Sequence, residues 1–291
     1  MKRILITGSN GFLGQHLCFF LKNAGLDITA TGKGEKRLMD KATTYLPLEL
    51  TNRRAVEMCI ENLQPDVIIH TAAISKPDEC ENNKKLCTEV NVYATKHLLE
   101  ASSAHFIYLS TDFVFGENGP HSEADAPAPL NFYGESKMQS EQLVQHSKYA
   151  ATIVRPVFIY GQSLPGMRPT FLHWVKNNLE QNKPIKVVSD QWRTPTYVQD
   201  ICQGIEAIIS KTATGIFHLA GKEILSPYDM ALHTANILNL DASLIEKVTA
   251  DTFPEPVKRA KRSGLKIEKA KAELGYNPVS FEEGVRRTFE V

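Results

Sequence analysis

Ile4-Leu5-Ile6-Thr7-Gly8-Ser9-Asn10-Gly11-Phe12-Leu13-Gly14 decides the fold. Ile4–Thr7 is an apolar run of strand length. Phe12–Asn23 then carries Leu13, Leu17, Phe20 and Leu21 at helical spacing. Strand, glycine turn and amphipathic helix in that order open a dinucleotide-binding βαβ unit. Gly8 permits the tight turn, Gly11 lets the backbone approach a pyrophosphate, and Gly14 allows close packing of helix on strand. The unpaired N–H groups and positive end of the first helix then face the phosphates. The spacing is G-x-x-G-x-x-G, so the weight rests on the strand before it and the helix after it. The plainer alternative is a glycine-bearing turn that holds nothing.

Outward from this turn, short apolar runs alternate with helical patterns. Strands are expected at Ile4–Thr7, Asp27–Thr31, Thr44–Leu48, Val67–Thr71, Phe106–Ser110, Thr152–Pro156, Ile185–Val188 and Ile216–Ala220. Most are continuous apolar runs, as in strands covered on both faces. Helices are expected over Phe12–Asn23, Asn52–Asn62, Asp78–Ser102 as one long element, Phe132–Gln145, Thr170–Asn182, Val198–Ser210 and Pro227–Leu238. Beyond these, no strand–helix alternation is legible, and Ile267–Leu274 and Phe281–Phe289 read as closing helices. The fold class is therefore α/β: a Rossmann-type, doubly wound parallel sheet with a smaller, mainly helical C-terminal substrate lobe. The expected division is residues 1–161 and 184–221 for the dinucleotide-binding domain, and 162–183 and 222–291 for the lobe. Gly116–Pro129 reads as a surface loop near the site.

The bulk composition is that of an ordinary globular chain. Its 291 residues bury a core without staples, and 33 basic residues balance 33 acidic ones. That balance gives no electrostatic case for nucleic acid or an anionic membrane. No apolar run reaches the roughly 18 residues of a membrane span, and the N-terminal run is too short for a signal peptide. Cys18, Cys59, Cys80, Cys87 and Cys202 are scattered with no C-x-x-C pair, which reads as reduced thiols in a cytoplasmic protein. His70, His121 and His218 lack metal-ligand spacing, so no metal site is expected.

The end of the second strand bears on the choice between nicotinamide cofactors. Ala30-Thr31-Gly32-Lys33-Gly34-Glu35-Lys36-Arg37 places no acid at the strand end, where one would take the ribose hydroxyls of NAD. Lys33, Lys36 and Arg37 instead favour the 2′-phosphate of NADP(H). Glu35 leaves NAD(H) open, as does the simpler reading of a solvated basic loop. Farther on, Tyr133-Gly134-Glu135-Ser136-Lys137 puts a phenol and an ammonium on one helical face. A neighbouring cation lowers a phenol's pKa and makes it a better acid toward a carbonyl oxygen, or a better base toward an alcohol. Thr111, directly after a buried strand, stands where a hydroxyl can bond the same oxygen. Each residue alone has an ordinary reading, as a polar turn or a solvated helix position.

With these segments in view, the sequence resembles the extended short-chain dehydrogenases/reductases, and among them dTDP-4-dehydrorhamnose reductase and its relatives. The resemblance rests on Thr7–Gly14, His70-Thr71-Ala72-Ala73, Ser110-Thr111-Asp112-Phe113-Val114-Phe115 and Pro129–Lys137. Farther along it rests on Arg155-Pro156, Tyr160-Gly161, Asp190-Gln191, Pro195-Thr196 and Phe217–Gly221. It implies that Thr111, Tyr133 and Lys137 are the catalytic triad, with Lys137 also holding the nicotinamide ribose. It further implies that Ala72 and Ala73 line the dinucleotide, Glu49 and Leu50 flank the adenine, and Pro156 and Val157 pack on the nicotinamide. Asn10, Phe12, Leu13, Thr31, Lys33 and Ser110 complete the expected cofactor residues. Related dehydratases carry an Asp-Glu pair after the threonine. Here Phe113 follows Asp112, which argues for plain carbonyl reduction.

On the substrate side, Asp112, Phe115, Trp192, Arg193 and Arg259 are the candidates. A planar guanidinium suits a diphosphate, and an indole can stack on a base or simply pack. The reductases usually carry Arg-Pro-x-Asn-Ser-x-Leu where this chain has Arg259-Ala260-Lys261-Arg262-Ser263-Gly264-Leu265. The expected activity is NADP(H)-dependent reduction of a 4-keto nucleotide sugar. The alternatives are an epimerase on the same scaffold, or a cofactor-bound regulatory subunit like the beta subunit of methionine adenosyltransferase. A homodimer would use the long helices around 78–102 and 132–145.

Overall fold

The structure, a computed structural model, describes residues 2–38, 40–164, 167, 169–253 and 256–291. In chain order it begins β1 (Arg3–Thr7), α1 (Phe12–Asn23), β2 (Asp27–Gly32), β3 (Thr44–Pro47), α2 (Arg53–Leu63) and β4 (Val67–His70). Then come α3 (Pro77–Asn82), α4 (Lys84–Cys87), a π-helical turn over Thr88–Tyr93, α5 (Ala94–Ala101), β5 (His105–Leu109), α6 (Phe132–Gln145) and β6 (Ala151–Arg155). The second half holds β7 (Ile159–Tyr160), α7 (Phe171–Glu180), β8 (Ile185–Val188), β9 (Thr196–Tyr197), α8 (Val198–Lys211) and β10 (Gly215–His218). It closes with α9 (Pro227–Ile237), β11 (Ile245–Val248), α10 (Glu268–Leu274) and α11 (Phe281–Phe289).

Seven strands form one parallel sheet in the order β10-β6-β5-β4-β1-β2-β3. Alternation along β1 divides the core. Ile4 and Ile6 pack with Leu17 and Leu21 of α1 and with Ile201 and Ile205 of α8, while Leu5 packs with Val56 of α2, Leu98 of α5 and Val144 of α6. Helices thus cover both faces, which is the doubly wound α/β fold expected from the sequence. Strand order reverses at β1, between β2 and β4, and ligands of open α/β sheets bind beyond the carboxyl ends of the strands at such a point.

Three expectations need correction. Ile185–Val188 does not join the large sheet. It pairs with β11, a strand the sequence reading missed, and packs through Ile185, Val187 and Ile245 against α7 and α9. The long helix expected over 78–102 is broken, because Asn83 leaves helical geometry (φ −140°, ψ 72°) and its side chain caps a new start at Leu86 N. The C-terminal segment is also not all lobe: Leu265, Ile267, Ala270, Leu274 and Tyr276 belong to the core under the large sheet. Among the described residues no helix is long and apolar enough to cross a membrane.

Candidate active site

The glycine turn is enforced sterically. Gly8 has φ +70°, and a Cβ there would lie 2.5 Å from the Ala72 nitrogen. Gly8 thereby seats the end of β1 against the end of β4, where the Thr71 hydroxyl donates to the Thr7 carbonyl at 2.7 Å. A Cβ on Gly14 would press into the Gly8 carbonyl oxygen, so α1 packs on its own turn only with glycine at that position. A Cβ on Gly11 would meet only the Gly8 oxygen, at 3.2 Å, and would otherwise enter the open cleft above the turn.

That cleft measures about 840 Å³. Gly8, Asn10, Gly11, Phe12, Leu13 and Gly14 form its floor, and Thr31, Lys33, Glu49 and Leu50 form one end. Ala72, Ala73, Ser110, Tyr133, Lys137 and Pro156 form the other. Val157, expected with them, lines neither this cleft nor its neighbour; it is buried in the core, its carbonyl accepting from the Thr196 hydroxyl at 2.6 Å. The loop after β2 is stapled to the glycine turn. The Asn10 amide donates to the carbonyls of Glu35 (2.9 Å) and Lys33 (3.3 Å), and its oxygen accepts from Arg37 N (2.9 Å). Lys36 is spent on the carbonyls of Lys41 and Thr43. Lys33 pairs with Glu49 at 2.9 Å and holds that carboxyl below its ordinary range.

At the inner end, helix α6 presents Tyr133 and Lys137 on one face, started by Asn131, whose side chain accepts from Gly134 N at 3.0 Å. Gly134 is required beneath, since a Cβ would press on the Phe113 carbonyl. Beside the Thr111 hydroxyl, which favours its ionised form, stands the Tyr133 phenol. Burial nevertheless pushes its pKa up, and neighbouring Asp112 adds to this. The expected lowering by Lys137 is absent in this state for two reasons. The Lys137 ammonium donates to the Leu109 carbonyl at 2.6 Å and lies 4.2 Å from the centre of the Tyr108 ring. Burial also brings its own pKa down to about 7, with Glu141 opposing the shift.

A second cleft, about 430 Å³, adjoins the first through Phe158 and Phe171, which line both. Asp112, Arg193 and Arg259 line it, together with Phe113, Trp174 and Lys186. Asp112 is buried, which raises its pKa against the opposing pull of Arg193. Arg193 donates to the Gln191 side chain at 2.7 Å. Phe113 packs edge-on to Tyr133, with ring centres 5.4 Å apart, so the phenol stands at the boundary of the two clefts.

Two expected substrate residues line neither cleft. Phe115 is a core side chain stacked on His121 at 4.4 Å and under the Arg155 guanidinium. Trp192 bridges to Arg262, whose guanidinium lies 5.5 Å from its ring centre. Conversely, the aromatic wall of Phe158, Phe171 and Trp174 was not anticipated. Phe171 and Trp174, three apart on α7, were visible as a helical pair. Nothing in sequence marks Phe158, held at φ +38°.

The whole chain, residues 1–291, matches the RmlD substrate binding domain family. The chain belongs to that family. A solved dTDP-4-dehydrorhamnose reductase from Bacillus anthracis, in complex with NADP, is similar to this RmlD-family chain with a TM-score of 0.85 and 28% identity, covering 99% of each chain. A UDP-glucuronic acid 4-epimerase from Bacillus cereus, in complex with UDP-glucuronic acid and NAD, matches with a TM-score of 0.83 and 25% identity over 99% and 98% of the two chains. Methionine adenosyltransferase 2 subunit beta of Danio rerio is 30% identical over 275 residues, 92% of this chain and 84% of that protein. The RmlD family is of the extended short-chain dehydrogenase/reductase type, and a nicotinamide dinucleotide fits this cleft on two observations. Gly11 leaves a cradle that a Cβ would fill, and the buried Ser110 hydroxyl, at the cleft wall, has no hydrogen-bond partner among the described residues.

Proposed function

We propose that this RmlD-family chain is an NADP(H)-dependent reductase of a 4-keto nucleotide sugar, similar in activity to dTDP-4-dehydrorhamnose reductase. The observation that carries the reading is the Tyr133 phenol, beside Thr111 and packed on Phe113, at the junction of a dinucleotide-sized cleft with a second cleft lined by Arg193 and Arg259. A bound nicotinamide supplies the hydride. Tyr133 gives the proton to the carbonyl oxygen, and Thr111 holds that oxygen. Lys137 turns from the Leu109 carbonyl to the nicotinamide ribose and steadies the phenolate left behind. Arg193 and Arg259 take the diphosphate through parallel N–H donors, and Phe171 and Trp174 offer faces to the base. Phe113 stands where a dehydratase would carry its second acid, which supports reduction over 4,6-dehydration.

The test is a panel of nucleotide-linked 4-keto sugars assayed for NADPH oxidation. Stoichiometric oxidation with one member is expected; none with any member defeats the reading. Conversion of a nucleotide sugar without net NADPH consumption points instead to the epimerase, a reading supported by the likeness to the UDP-glucuronic acid 4-epimerase. The likeness to the methionine adenosyltransferase subunit supports a regulatory alternative. Recovery of a stoichiometric partner enzyme, with no turnover across the panel, would favour that one.

A further inference from the structure

Cys80 and Cys87 are seven residues apart, and in one continuous helix that separation is about 10 Å along the axis. The break at Asn83 folds α3 and α4 against each other instead, and the two sulfurs come to 2.7 Å, against about 2.05 Å in a covalent disulfide. Both side chains are buried in one cluster with Tyr133, walled by Ile74, Phe113 and Phe132. Asn91, in the π-helical turn that follows, donates to Cys87 Sγ at 3.3 Å, to Ser136 Oγ at 3.0 Å and to the Ile74 carbonyl at 3.1 Å. The pair is thus wired to the helix that carries Tyr133 and Lys137. The sulfur–sulfur contact with Cys80, helped by Ser136 and Lys137 and opposed by burial, holds the Cys87 thiol below its ordinary range, while the same contact pushes Cys80 above its own. Cys18, Cys59 and Cys202 also have raised thiols, so Cys87 is the one of the five that is lowered.

We propose that Cys80 and Cys87 form an oxidisable dithiol set against Tyr133, closed to a disulfide by a small hydroperoxide and reopened by thiol reductants, that weakens dinucleotide binding and turnover when closed. The Cys87 thiolate attacks the peroxide oxygen, giving a sulfenic acid and, with hydrogen peroxide, one water. The Cys80 thiol then attacks the sulfenic sulfur, forming the S–S bond and releasing a second water. Two thiols lose two electrons and two protons, and the peroxide takes both. Closing the bond draws α3 against α4 beneath Tyr133, and it displaces the phenol and the Asn91 amide bonds that register α6. Both sulfurs are buried, and Tyr133 belongs both to their cluster and to the dinucleotide cleft, so a dinucleotide packed on Tyr133 should slow the entry of peroxide.

The effect on turnover rests on the reductase reading; the dithiol and its effect on dinucleotide binding do not. The reduced full-length protein is treated with hydrogen peroxide, denatured, alkylated and weighed, with NADPH affinity measured on a parallel sample. The expected result is a fall from five alkylable thiols to three, a Cys80–Cys87 cross-linked peptide, and NADPH affinity weakened several-fold, all reversed by dithiothreitol and slowed by NADPH. Cys80→Ser should abolish the cross-link and the affinity change together. Oxidation of Cys59 with no Cys80–Cys87 link overturns the proposal, and so does a complete link that leaves NADPH affinity unchanged. If the link and the affinity change appear while no 4-keto sugar is reduced, the dithiol stands and the reductase reading falls.

Discussion

The Arg155 guanidinium at the end of β6 is gripped by the Glu141 carboxylate of α6, Nε to Oε1 at 2.8 Å and Nη2 to Oε2 alongside, with both side chains almost wholly buried. Glu141 lies one helical turn beyond Lys137, and Arg155 precedes Pro156 of the cleft wall. The pair therefore ties α6, which carries Tyr133 and Lys137, to the strand that ends at the cleft wall. Removing one partner leaves a buried, unpaired charge, which costs about 3–5 kcal/mol. Glu141→Leu and Arg155→Met should each lower the urea midpoint strongly, and the double variant should lose clearly less than the sum of the two. Additive losses in the urea titrations would show that the two groups act independently.

Local features of the chain were legible in its sequence, and features set by tertiary packing were not. Ile4–Gly14 and Tyr133–Lys137 could be read because a turn and a helical face are local properties. Val67–His70 is buried throughout, and Val67–Ile69 is a continuous apolar run as a central strand should be. Ile185–Val188 resembled it, yet Lys186 is exposed between two buried neighbours, and that period of two marks a half-covered strand outside the main sheet. The break at Asn83 turns on one side chain choosing to cap Leu86 rather than point to solvent, a choice made by tertiary packing. Phe115 and Trp192 lie outside both clefts because an aromatic ring in a motif carries no sign of which way it faces; the first stacks on His121, the second meets Arg262. The π-helical turn and the left-handed Phe158 follow from packing around the site and leave no periodicity to read.

Tyr133 and Thr111 should divide along proton transfer and orientation. Tyr133→Phe keeps the ring against Phe113 and removes only the phenolic hydroxyl, the proton donor of the proposed reaction. Turnover should fall by about 10² to 10⁴ while NADPH affinity stays within a few-fold. Thr111→Val should also cost turnover, but less, because the phenol survives. Steady-state rates beside fluorescence titration of NADPH decide it: Tyr133→Phe with unimpaired turnover removes the tyrosine from the chemistry.

Cofactor preference should lie in Lys33 and Arg37, since Lys36 is committed to two backbone carbonyls. Arg37 is exposed, and Lys33 holds Glu49 through a surface ion pair worth little. Lys33 can therefore turn to a 2′-phosphate at small cost. Lys33→Ala combined with Arg37→Ala should weaken NADPH roughly ten-fold or more, about 1.4 kcal/mol, and leave NADH nearly unchanged. Calorimetry with both dinucleotides on the variant would expose an error in this assignment by showing equal losses.

Lys137 makes dinucleotide binding depend on pH in a fixed direction. In the unliganded protein burial brings its pKa down to about 7, so near neutrality a good fraction of the molecules carry the neutral amine. An anionic dinucleotide whose ribose hydroxyls accept from the ammonium favours the charged form and raises that pKa. Binding therefore takes up a proton above pH about 7 and takes up none well below it. NADPH affinity should be flat on the acid side and fall as pH rises through about 7, by at most ten-fold per unit for one proton. Lys137→Met removes the titrating group, so its affinity should be lower in acid and should lose this alkaline decline. Isothermal titration in buffers of different ionisation enthalpy counts the proton directly. An uptake near one at pH 8 in the parent and near zero in Lys137→Met is the expected pair of values, and equal uptake in both would assign the proton to another group.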